Sequence, residues 1–318
     1  MPVSMTKNAQ SEETLRRIAE AAKLPDIIDI TELTEGYFNV AYSIKTAGGD
    51  YIIKIAPSPD CPIMTHEINI MESEVRSMQM VAERLPGVPV AKIICYDNSR
   101  TLCTSDYFIM ERLHGTSFSS IMNTMTTEET DAVYRKLGEY NREINSITGS
   151  RFGYFGQPDK QGDDWFTVFR SMICDALDDA ARMNIKHRTD PALILGQLDR
   201  DKEYFLEITV PRFVHWDLWA GNVFIADGKI TGLIDFERCL WGDVLLEASF
   251  RTYDPHPAFL AGYGIDTLTK AELRRAKWYD IYLFLISCLE CDYRHYDNRF
   301  AYEWGSDMTA KYIKEFLS

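Results

Sequence analysis

The sequence predicts an α+β fold of two lobes, in which a small antiparallel β-sheet with one interior helix precedes a larger, mainly α-helical lobe. Its 318 residues are about twice the length of an average domain. Short runs rich in β-branched and aromatic residues dominate the first third, whereas segments after Thr127 repeat their apolar residues at the three- and four-residue spacing of helices. We therefore expect an N-terminal lobe over 1–113 and a C-terminal lobe over 114–318.

The N-terminal lobe is predicted to alternate helix and sheet. The predicted elements are a helix over 12–23, strands over 29–33, 40–46 and 51–56, a helix over 68–85, and strands over 88–96 and 107–113. Gly48-Gly49 is a two-residue hairpin signal between the second and third strands, which would place Lys54 opposite Ser43.

The C-terminal lobe is predicted to be helical except for one strand pair within 213–235. Its predicted helices span 128–146, 165–183, 191–206, 270–294 and 308–317. The first two are separated by 148–164, which holds four glycines and is longer than most irregular connections. A substrate lid and a surface insertion fit this segment equally well.

Composition excludes several classes of protein. The net charge of −14, from 34 basic and 48 acidic residues, disfavours binding to nucleic acid through its phosphates. We expect no membrane span, because the longest apolar stretch falls short of the ~20 residues that cross a bilayer. Seven cysteines and no apolar leader predict a reducing, cytoplasmic location. No pattern indicates an oligomeric state.

The residues over 213–237 carry the strongest chemical signal. Asp227-Gly228 predicts a two-residue hairpin turn, which would place Asn222 opposite Leu233 and diagonal to Asp235, with Cβ atoms about 7 Å apart. An amide oxygen beside a carboxylate suits Mg²⁺, which shares its remaining shell with water and substrate phosphates. Asp217, in the loop before the hairpin, could accept a proton from a hydroxyl.

Lys54 is a second candidate, because a lysine within an otherwise apolar strand needs an anionic partner. That partner is either a phosphate or a carboxylate of the following helix region, where Glu67, Glu72 and Glu74 are available.

These segments together resemble the aminoglycoside phosphotransferase and choline kinase-like superfamily, which has the protein-kinase fold. The resemblance is carried by His215-Trp216-Asp217-Leu218-Trp219-Ala220-Gly221-Asn222, Ile234-Asp235-Phe236-Glu237, Gly242-Asp243, Glu35-Gly36-Tyr37-Phe38-Asn39, Lys54, the helix residues 74–78 and the segment 108–115. It covers about 30–250 well and the C-terminal helices more loosely.

The resemblance implies a role for each matching residue. Asp217 would be the catalytic base, Asn222 and Asp235 the Mg²⁺ ligands, and Lys54 the contact to the α- and β-phosphates, paired with Glu74 or alternatively Glu72. The remaining nucleotide contacts would be Gly36 and Asn39 in a turn over the phosphates, and the Glu111 C=O and Leu113 N–H groups at the adenine edge.

The implied reaction is transfer of the γ-phosphoryl group of ATP or GTP to a hydroxyl of a small molecule. An aminoglycoside-type antibiotic is the favoured acceptor. A metabolic acceptor such as choline, a sugar or an amino alcohol is the alternative, and a non-catalytic nucleotide-binding scaffold is a further one. The acidic residues that could contact a cationic acceptor are Asp163, Asp164, Glu290, Asp292 and Asp297. An ordinary solvent-exposed surface of an acidic protein explains these residues equally well.

Three departures point away from a protein kinase. Trp216 stands where the family usually has glycine and protein kinases often have arginine, Gly36 is a single glycine, and Glu237 replaces the glycine of the D-F-G motif. Trp219 is expected to lie in the core, with Trp241 and Phe250.

Overall fold

The structure, a computed structural model, describes residues 6–34, 36 and 38–318. Within that part of the chain the predicted division into a sheet-containing lobe and a helical lobe is confirmed. The elements of the first lobe are α1 (Glu12–Ala21), β1 (Ile27–Leu33), β2 (Val40–Thr46), β3 (Gly49–Ile55), α2 (Ile70–Arg84), β4 (Ile93–Asp97) and β5 (Tyr107–Glu111). The strands form one antiparallel sheet in the order β1-β2-β3-β5-β4.

The sheet of the first lobe is covered by a helix on each face. Because side chains alternate along a strand, Ile53 and Ile55 pack in one cluster with Leu15 and Ile18 of α1. Ile52 lies on the opposite face and packs in a second cluster that contains apolar residues of α2. Lys54 shares this second face, which directs it toward α2.

The predicted register of the β2–β3 hairpin is wrong by two residues. The turn residues are Ala47 and Gly48, so Lys54 lies opposite Ala41 and Ser43 lies opposite Ile52. Gly49 belongs to the strand, where its φ of +144° is a conformation that glycine tolerates. A shift of two residues preserves the face of every side chain, so the predicted orientation of Lys54 is unaffected.

The elements of the second lobe are mostly helices with two small sheets. They are β6 (Thr116–Ser117), α3 (Phe118–Ile121), α4 (Thr127–Ile144), β7 (Gly153–Tyr154), α5 (Trp165–Arg182), α6 (Pro191–Arg200), β8 (Arg212–Val214), β9 (Val223–Ala226), β10 (Lys229–Leu233), β11 (Leu240–Gly242), α7 (Pro257–Tyr263), α8 (Lys270–Tyr293) and α9 (Phe300–Leu317). The sheets have the orders β10-β9-β6 and β7-β11-β8.

Several predicted bounds were wrong for local reasons. Strand β4 begins at Ile93 rather than at residue 88, because Pro89 has no N–H group to donate within a sheet. Helix α6 ends at Arg200 and is followed by a separate 3₁₀ turn, Lys202–Phe205. Helix α9 begins eight residues earlier than predicted, at Phe300.

Helix α8 is the buried centre of the second lobe. It is apolar on most sides, and its polar residues are paired where they are buried. Arg275 Nε donates to Asp243 at 2.7 Å, and Trp278 Nε1 donates to Asp201 at 2.8 Å. These buried contacts hold the helix in place within the second lobe.

The glycine-rich segment 148–164 is tied to both lobes. Its short strand β7 pairs with β11, and Phe152 and Gly162 exchange backbone hydrogen bonds of 2.8 and 3.0 Å. Toward the first lobe, Gln157 Nε2 donates to Thr65 C=O at 2.9 Å. These contacts make the segment an ordered connection across the lobes.

The sheet of the first lobe ends at Glu111, and the next strand, β6, already belongs to the second lobe. We propose to keep the boundary between the lobes at residue 113, within this connection. In the described residues no helix is both long and apolar enough to span a bilayer.

Candidate active site

Lys54 is surrounded by carboxylates between the lobes. Its Nζ lies 2.8 Å from both carboxylate oxygens of Glu74, 2.8 Å from Asp235 Oδ1 and 3.7 Å from Glu237 Oε2. Burial lowers the pKa of the Lys54 amine, but the carboxylates of Asp235, Glu74 and Glu237 outweigh burial and raise this pKa well above its ordinary value. Lys54 is therefore a fixed positive charge.

Of the three glutamates that the sequence suggested as partners of Lys54, the structure pairs it with Glu74. Glu72 pairs with Arg76 on the surface of α2 at 3.3 Å. Glu67 forms a buried ion pair with Arg294. Only Glu74 lies on the face of α2 that packs against β3.

Asp235 reaches Lys54 because the β9–β10 hairpin is irregular. The predicted register is wrong by one residue: Thr231 is an extra residue in β10, so Gly232 pairs with Phe224 and the Ile234 N–H donates to Asn222 C=O at 3.0 Å. The Thr231 hydroxyl donates to His114 C=O at 2.5 Å, which fixes the bulge.

Asp235 itself adopts a left-handed conformation, with φ 61° and ψ 50°. This conformation is unfavourable for a residue other than glycine, and such residues are concentrated at functional sites. Asp235 directly follows Ile234, whose N–H donates to Asn222 C=O, so the backbones of the two predicted metal ligands are adjacent, although not through the predicted register.

Asp217 lies in the loop before β9. Burial raises the pKa of its carboxyl to about 7, although the nearby Arg238 guanidinium opposes this effect. Asn222 Nδ2 donates to Asp217 C=O at 2.8 Å, and this bond closes the loop. The Asn222 Oδ1 atom, on the other side of Cγ, takes no part in this bond. Asp217 is thus a carboxylate that can exchange a proton near neutral pH.

His215 is a buried structural residue of the same loop. Burial lowers the pKa of its ring to about 4, so the ring is neutral at pH 7. Its Nε2 lies 3.0 Å from Ile234 C=O, where a neutral ring donates its N–H. His215 therefore joins the loop to the residue before Asp235.

The two predicted nucleotide-contact regions are positioned by packing between the lobes. Asn39 is buried and donates from Nδ2 to Glu237 at 2.9 Å, while Gly36 is exposed and its neighbours at 35 and 37 lie outside the described residues. Glu111 is the last residue of β5. Leu113 packs against Gly232, where a Cβ atom would lie 2.2 Å from Leu113 Cδ1.

A cavity of about 330 Å³ opens beside Asp217. Trp219 lies in its wall and is 53% exposed, so the expectation that Trp219 belongs to the core was wrong. The Trp219 ring can lie against residue 221 because that residue is glycine: a Cβ atom on Gly221 would lie 2.2 Å from Trp219 Cζ2. Trp241 is half-buried, and Phe250 is buried as expected.

Comparison with known proteins decides the family. A family model described as the phosphotransferase enzyme family matches residues 29–279. The chain belongs to this family. The resemblance inferred from the motifs is thereby confirmed at the level of the superfamily.

Curated relatives match this chain over part of its length. A hygromycin-B 4-O-kinase of Escherichia coli is 22% identical over 238 residues, which are 71% of this chain and 62% of the relative. A subtelomeric hrmA-associated cluster protein of Aspergillus fumigatus is 30% identical over 126 residues, 39% of this chain and 24% of the relative. The chain therefore spans less than two thirds of the length of either relative.

Solved structures confirm the protein-kinase-like fold of the chain. A proposed fructosamine-3-kinase of Haemophilus somnus is 19% identical, with a TM-score of 0.70 over 95% of this chain and 96% of that one. A thermostable mutant of the aminoglycoside phosphotransferase APH(4)-Ia, in a ternary complex with ADP and hygromycin B, is 18% identical, with a TM-score of 0.64 over 94% and 97%.

Glu247 is a residue near Asp217 whose position the sequence did not predict. Its buried carboxylate accepts hydrogen bonds of 2.9 Å from the backbone N–H groups of both His215 and Trp216. The side-chain amides of Asn141 and Asn145 donate to the same carboxylate at 2.8 Å. The available signal was an acidic residue within the apolar run after Gly242-Asp243.

Glu237 is a second residue whose role was missed, because the sequence showed it only as a departure from D-F-G. It lies near Lys54 and accepts a hydrogen bond from Asn39, so it links the turn over the candidate nucleotide site to the second lobe.

Proposed function

We propose that this chain is a phosphotransferase that moves the γ-phosphoryl group of ATP to a hydroxyl group of a small molecule. One observation carries the proposal: Asp217, whose pKa is raised to about 7, forms part of the wall of a cavity of about 330 Å³. A general base is most effective when its pKa lies near the working pH, and a cavity of this size suits a small ligand.

The nucleotide would lie between the lobes. Lys54 would contact its α- and β-phosphates, Gly36 and Asn39 would lie over the phosphates, and Glu111 C=O and Leu113 N–H would bind the base. Neighbouring structures that hold ADP, AMP-PNP or ATP support ATP as the co-substrate. GTP remains the alternative that the sequence left open.

Mg²⁺ fits the donor set of this site. Asn222 and Asp235 would supply an amide oxygen and a carboxylate, and the Asp235 side chain is 37% exposed, which leaves room for water and phosphate oxygens. Mg²⁺ commonly keeps several waters and needs only one or two protein ligands beside the substrate phosphates. When bound, the ion would neutralise charge on the phosphates.

The residues of the chain would act in one transfer step. Asp217 accepts the proton of the acceptor hydroxyl while the oxygen of that hydroxyl bonds to the γ-phosphorus. The bond between the γ-phosphorus and the oxygen that bridges it to the β-phosphorus breaks, which releases ADP. Lys54 holds the phosphates in line. Such transfer depends mainly on positioning and charge neutralisation, which these residues supply.

The identity of the acceptor has two candidate classes. The hygromycin-B kinase relative supports the aminoglycoside that the sequence favoured. The fructosamine-3-kinase neighbour is compatible with a metabolic acceptor, although its similarity concerns the fold alone.

Most of the acidic residues proposed for a cationic acceptor have a partner within the protein. Four of the five already have partners within the protein: Glu290 with Arg238 at 2.9 Å, Asp292 with Arg299 at 2.7 Å, Asp163 with Arg151 at 3.5 Å, and Asp164 with the Thr167 N–H at 2.8 Å. Exposed ion pairs of this kind contribute little, so both acceptor classes remain candidates. Because all seven cysteines are free thiols, we propose a cytoplasmic setting.

The deciding experiment is nucleotide turnover by the purified chain with Mg²⁺ and ATP or GTP, across aminoglycosides, sugars, sugar acids and amino alcohols. Asp217→Asn should lower turnover by at least about 100-fold while binding of ATP persists. Asp227→Asn is the matched control, because it makes the same change at the exposed turn of the hairpin, where φ is 51° and asparagine is well tolerated. Nucleotide binding without transfer to any acceptor would favour the scaffold alternative.

A further inference from the structure

The walls of the cavity beside Asp217 are not those expected for a cationic acceptor. Arg238 and Arg251 both line it, together with Asp254 and Asp217 itself. Apart from Asp217, which is needed for the proton transfer, the charged lining residues are two arginines and one aspartate. Each arginine also has a carboxylate partner that does not line the cavity, Glu290 for Arg238 and Asp280 for Arg251.

Arg238 is held in a fixed position but is only partly used by the protein. Its guanidinium lies over the Trp216 indole, 5.2 Å from the ring centre, and its Nη2 donates to Glu290 at 2.9 Å. Its Nε is buried and has no hydrogen-bond partner among the described residues. A guanidinium offers five N–H donors, so Glu290 satisfies a minority of them.

Arg251 supplies a second fixed cation on the same cavity. Its residue is 5% exposed, its Nη1 donates to Tyr279 C=O at 3.3 Å, and the same atom lies 3.8 Å from Asp280 Oδ1. Asp280 is shared, because its other oxygen accepts from the Thr252 N–H and hydroxyl at 3.0 and 2.6 Å. Arg251 thus keeps donor capacity for a ligand.

Two aromatic side chains complete the wall. Trp219 and Tyr253 line the cavity and are 53% and 38% exposed. Aromatic rings of this kind offer a flat apolar surface to the carbon skeleton of a ligand while polar groups set its orientation. The cavity therefore combines an apolar surface, a base and two guanidinium groups.

We propose that the acceptor carries an oxyanion group, a carboxylate or a phosphate, which binds Arg238 and Arg251 while its hydroxyl faces Asp217. The inference rests on the proposed phosphoryl transfer. Guanidinium groups match the geometry of both oxyanions, and their remaining N–H groups are donors that an oxyanion can use and an ammonium group cannot. The acceptor class is a small hydroxy acid, sugar acid or sugar phosphate.

The test compares acceptors that differ only in charge. The full chain is incubated with Mg²⁺ and γ-labelled ATP in matched sets: glucuronate, glucose 6-phosphate, glucose and glucosamine, and likewise glycerate, glycerol 3-phosphate, glycerol and serinol. A charge-fractionated metabolite extract and hygromycin B extend the panel. We expect at least tenfold higher kcat/KM for the anionic member of a productive set, or labelled product in the anionic fraction of the extract.

The outcomes separate the inference from the function on which it rests. Preference for a carboxylate or for a phosphate would identify the source of the oxyanion. Preference for a neutral or cationic acceptor, hygromycin B included, would overturn the inference but leave the phosphotransfer intact. Absence of any labelled product would count against the proposed function and overturn the inference with it.

Substitution of the arginines gives a second test. Arg251→Gln and Arg238→Gln should raise KM for the anionic acceptor at least tenfold more than for its neutral analogue, whereas Arg251→Lys and Arg238→Lys should retain part of the preference. Arg299→Gln is the matched control, because Arg299 is an exposed arginine paired with Asp292 outside the cavity wall. Equal effects on charged and neutral acceptors would assign both arginines a structural role and overturn the inference.

Discussion

Lys54 Nζ lies 2.8 Å from Asp235 Oδ1, and this contact joins the two lobes at the point where the nucleotide phosphates are proposed to bind. Burial alone would raise the pKa of the Asp235 carboxyl, but Lys54 outweighs burial and lowers it, so both groups stay charged. Phosphate oxygens would compete for Lys54 and a metal ion would compete for Asp235. Lys54 would therefore provide a positive charge for the nucleotide phosphates, and Asp235 a negative charge for the metal ion.

Glu74 should be needed to keep Lys54 in place when Asp235 engages a metal ion. We expect Glu74→Gln to lower kcat/KM for ATP by about 10- to 100-fold, because the buried ammonium loses a charged partner. Steady-state kinetics with varied ATP measures this. Glu72→Gln is the matched control, since Glu72 lies two residues away and pairs on the surface with Arg76. Equal effects of the two substitutions would contradict the assignment of Glu74.

The rate should depend on the protonation of Asp217. Because the base must be ionised and its pKa is raised to about 7, kcat/KM should fall about tenfold per pH unit below this value and level off above it. His215 is not the source of this transition, because burial lowers its pKa to about 4. A profile measured from pH 5 to 9 tests the prediction, and a flat profile across neutral pH would argue against Asp217 as the base.

Glu247 should stabilise the loop that carries Asp217. Glu247→Gln replaces one acceptor oxygen by an amide that cannot accept from the Trp216 N–H, which leaves a buried donor unpaired. We expect the free energy of unfolding to fall by about 1–3 kcal/mol and kcat to fall more than the affinity for ATP. Urea unfolding and kinetics measure both. Glu139→Gln, an exposed change, should alter neither, and wild-type stability in Glu247→Gln would refute the role.

Trp216 has a strained backbone conformation, which we attribute to the packing of its buried indole. Its φ is +70°, where the family usually has glycine, and this costs about 1–2 kcal/mol. Its indole is 2% exposed, and loss of such a buried side chain costs about 3–5 kcal/mol. We therefore expect Trp216→Gly to lower the free energy of unfolding by about 1–4 kcal/mol in chemical denaturation.

Trp219→Ala is the control for that substitution, because Trp219 is exposed and should contribute little to the free energy of unfolding. If Trp216→Gly were as stable as the wild type, relief of the backbone strain would equal or exceed the loss of packing, and the indole would not be the reason for tryptophan at this position.

Local patterns in the sequence were sufficient for most elements and for the residue types of the site. The two-lobe α+β fold and the face of Lys54 follow from the alternation and spacing of apolar residues, which depend on local backbone geometry. The family followed from motifs that are contiguous in the chain. Both hairpin registers were wrong, because the turn at Ala47 and the bulge at Thr231 make hydrogen bonds outside their hairpins, to Asp26 C=O and to His114 C=O.

What the sequence by itself determined is the set of groups that can do chemistry: Lys54, Asp217, Asn222 and Asp235 stand out as residues. The tertiary structure alone decided which of them meet and in what environment. It selected Glu74 over Glu67 and Glu72, placed Glu247 beneath the loop of Asp217, and brought Arg238 and Arg251 to one cavity. Such choices join residues far apart in the chain, and a pKa near 7 for Asp217 arises only from burial and neighbouring charges that folding creates.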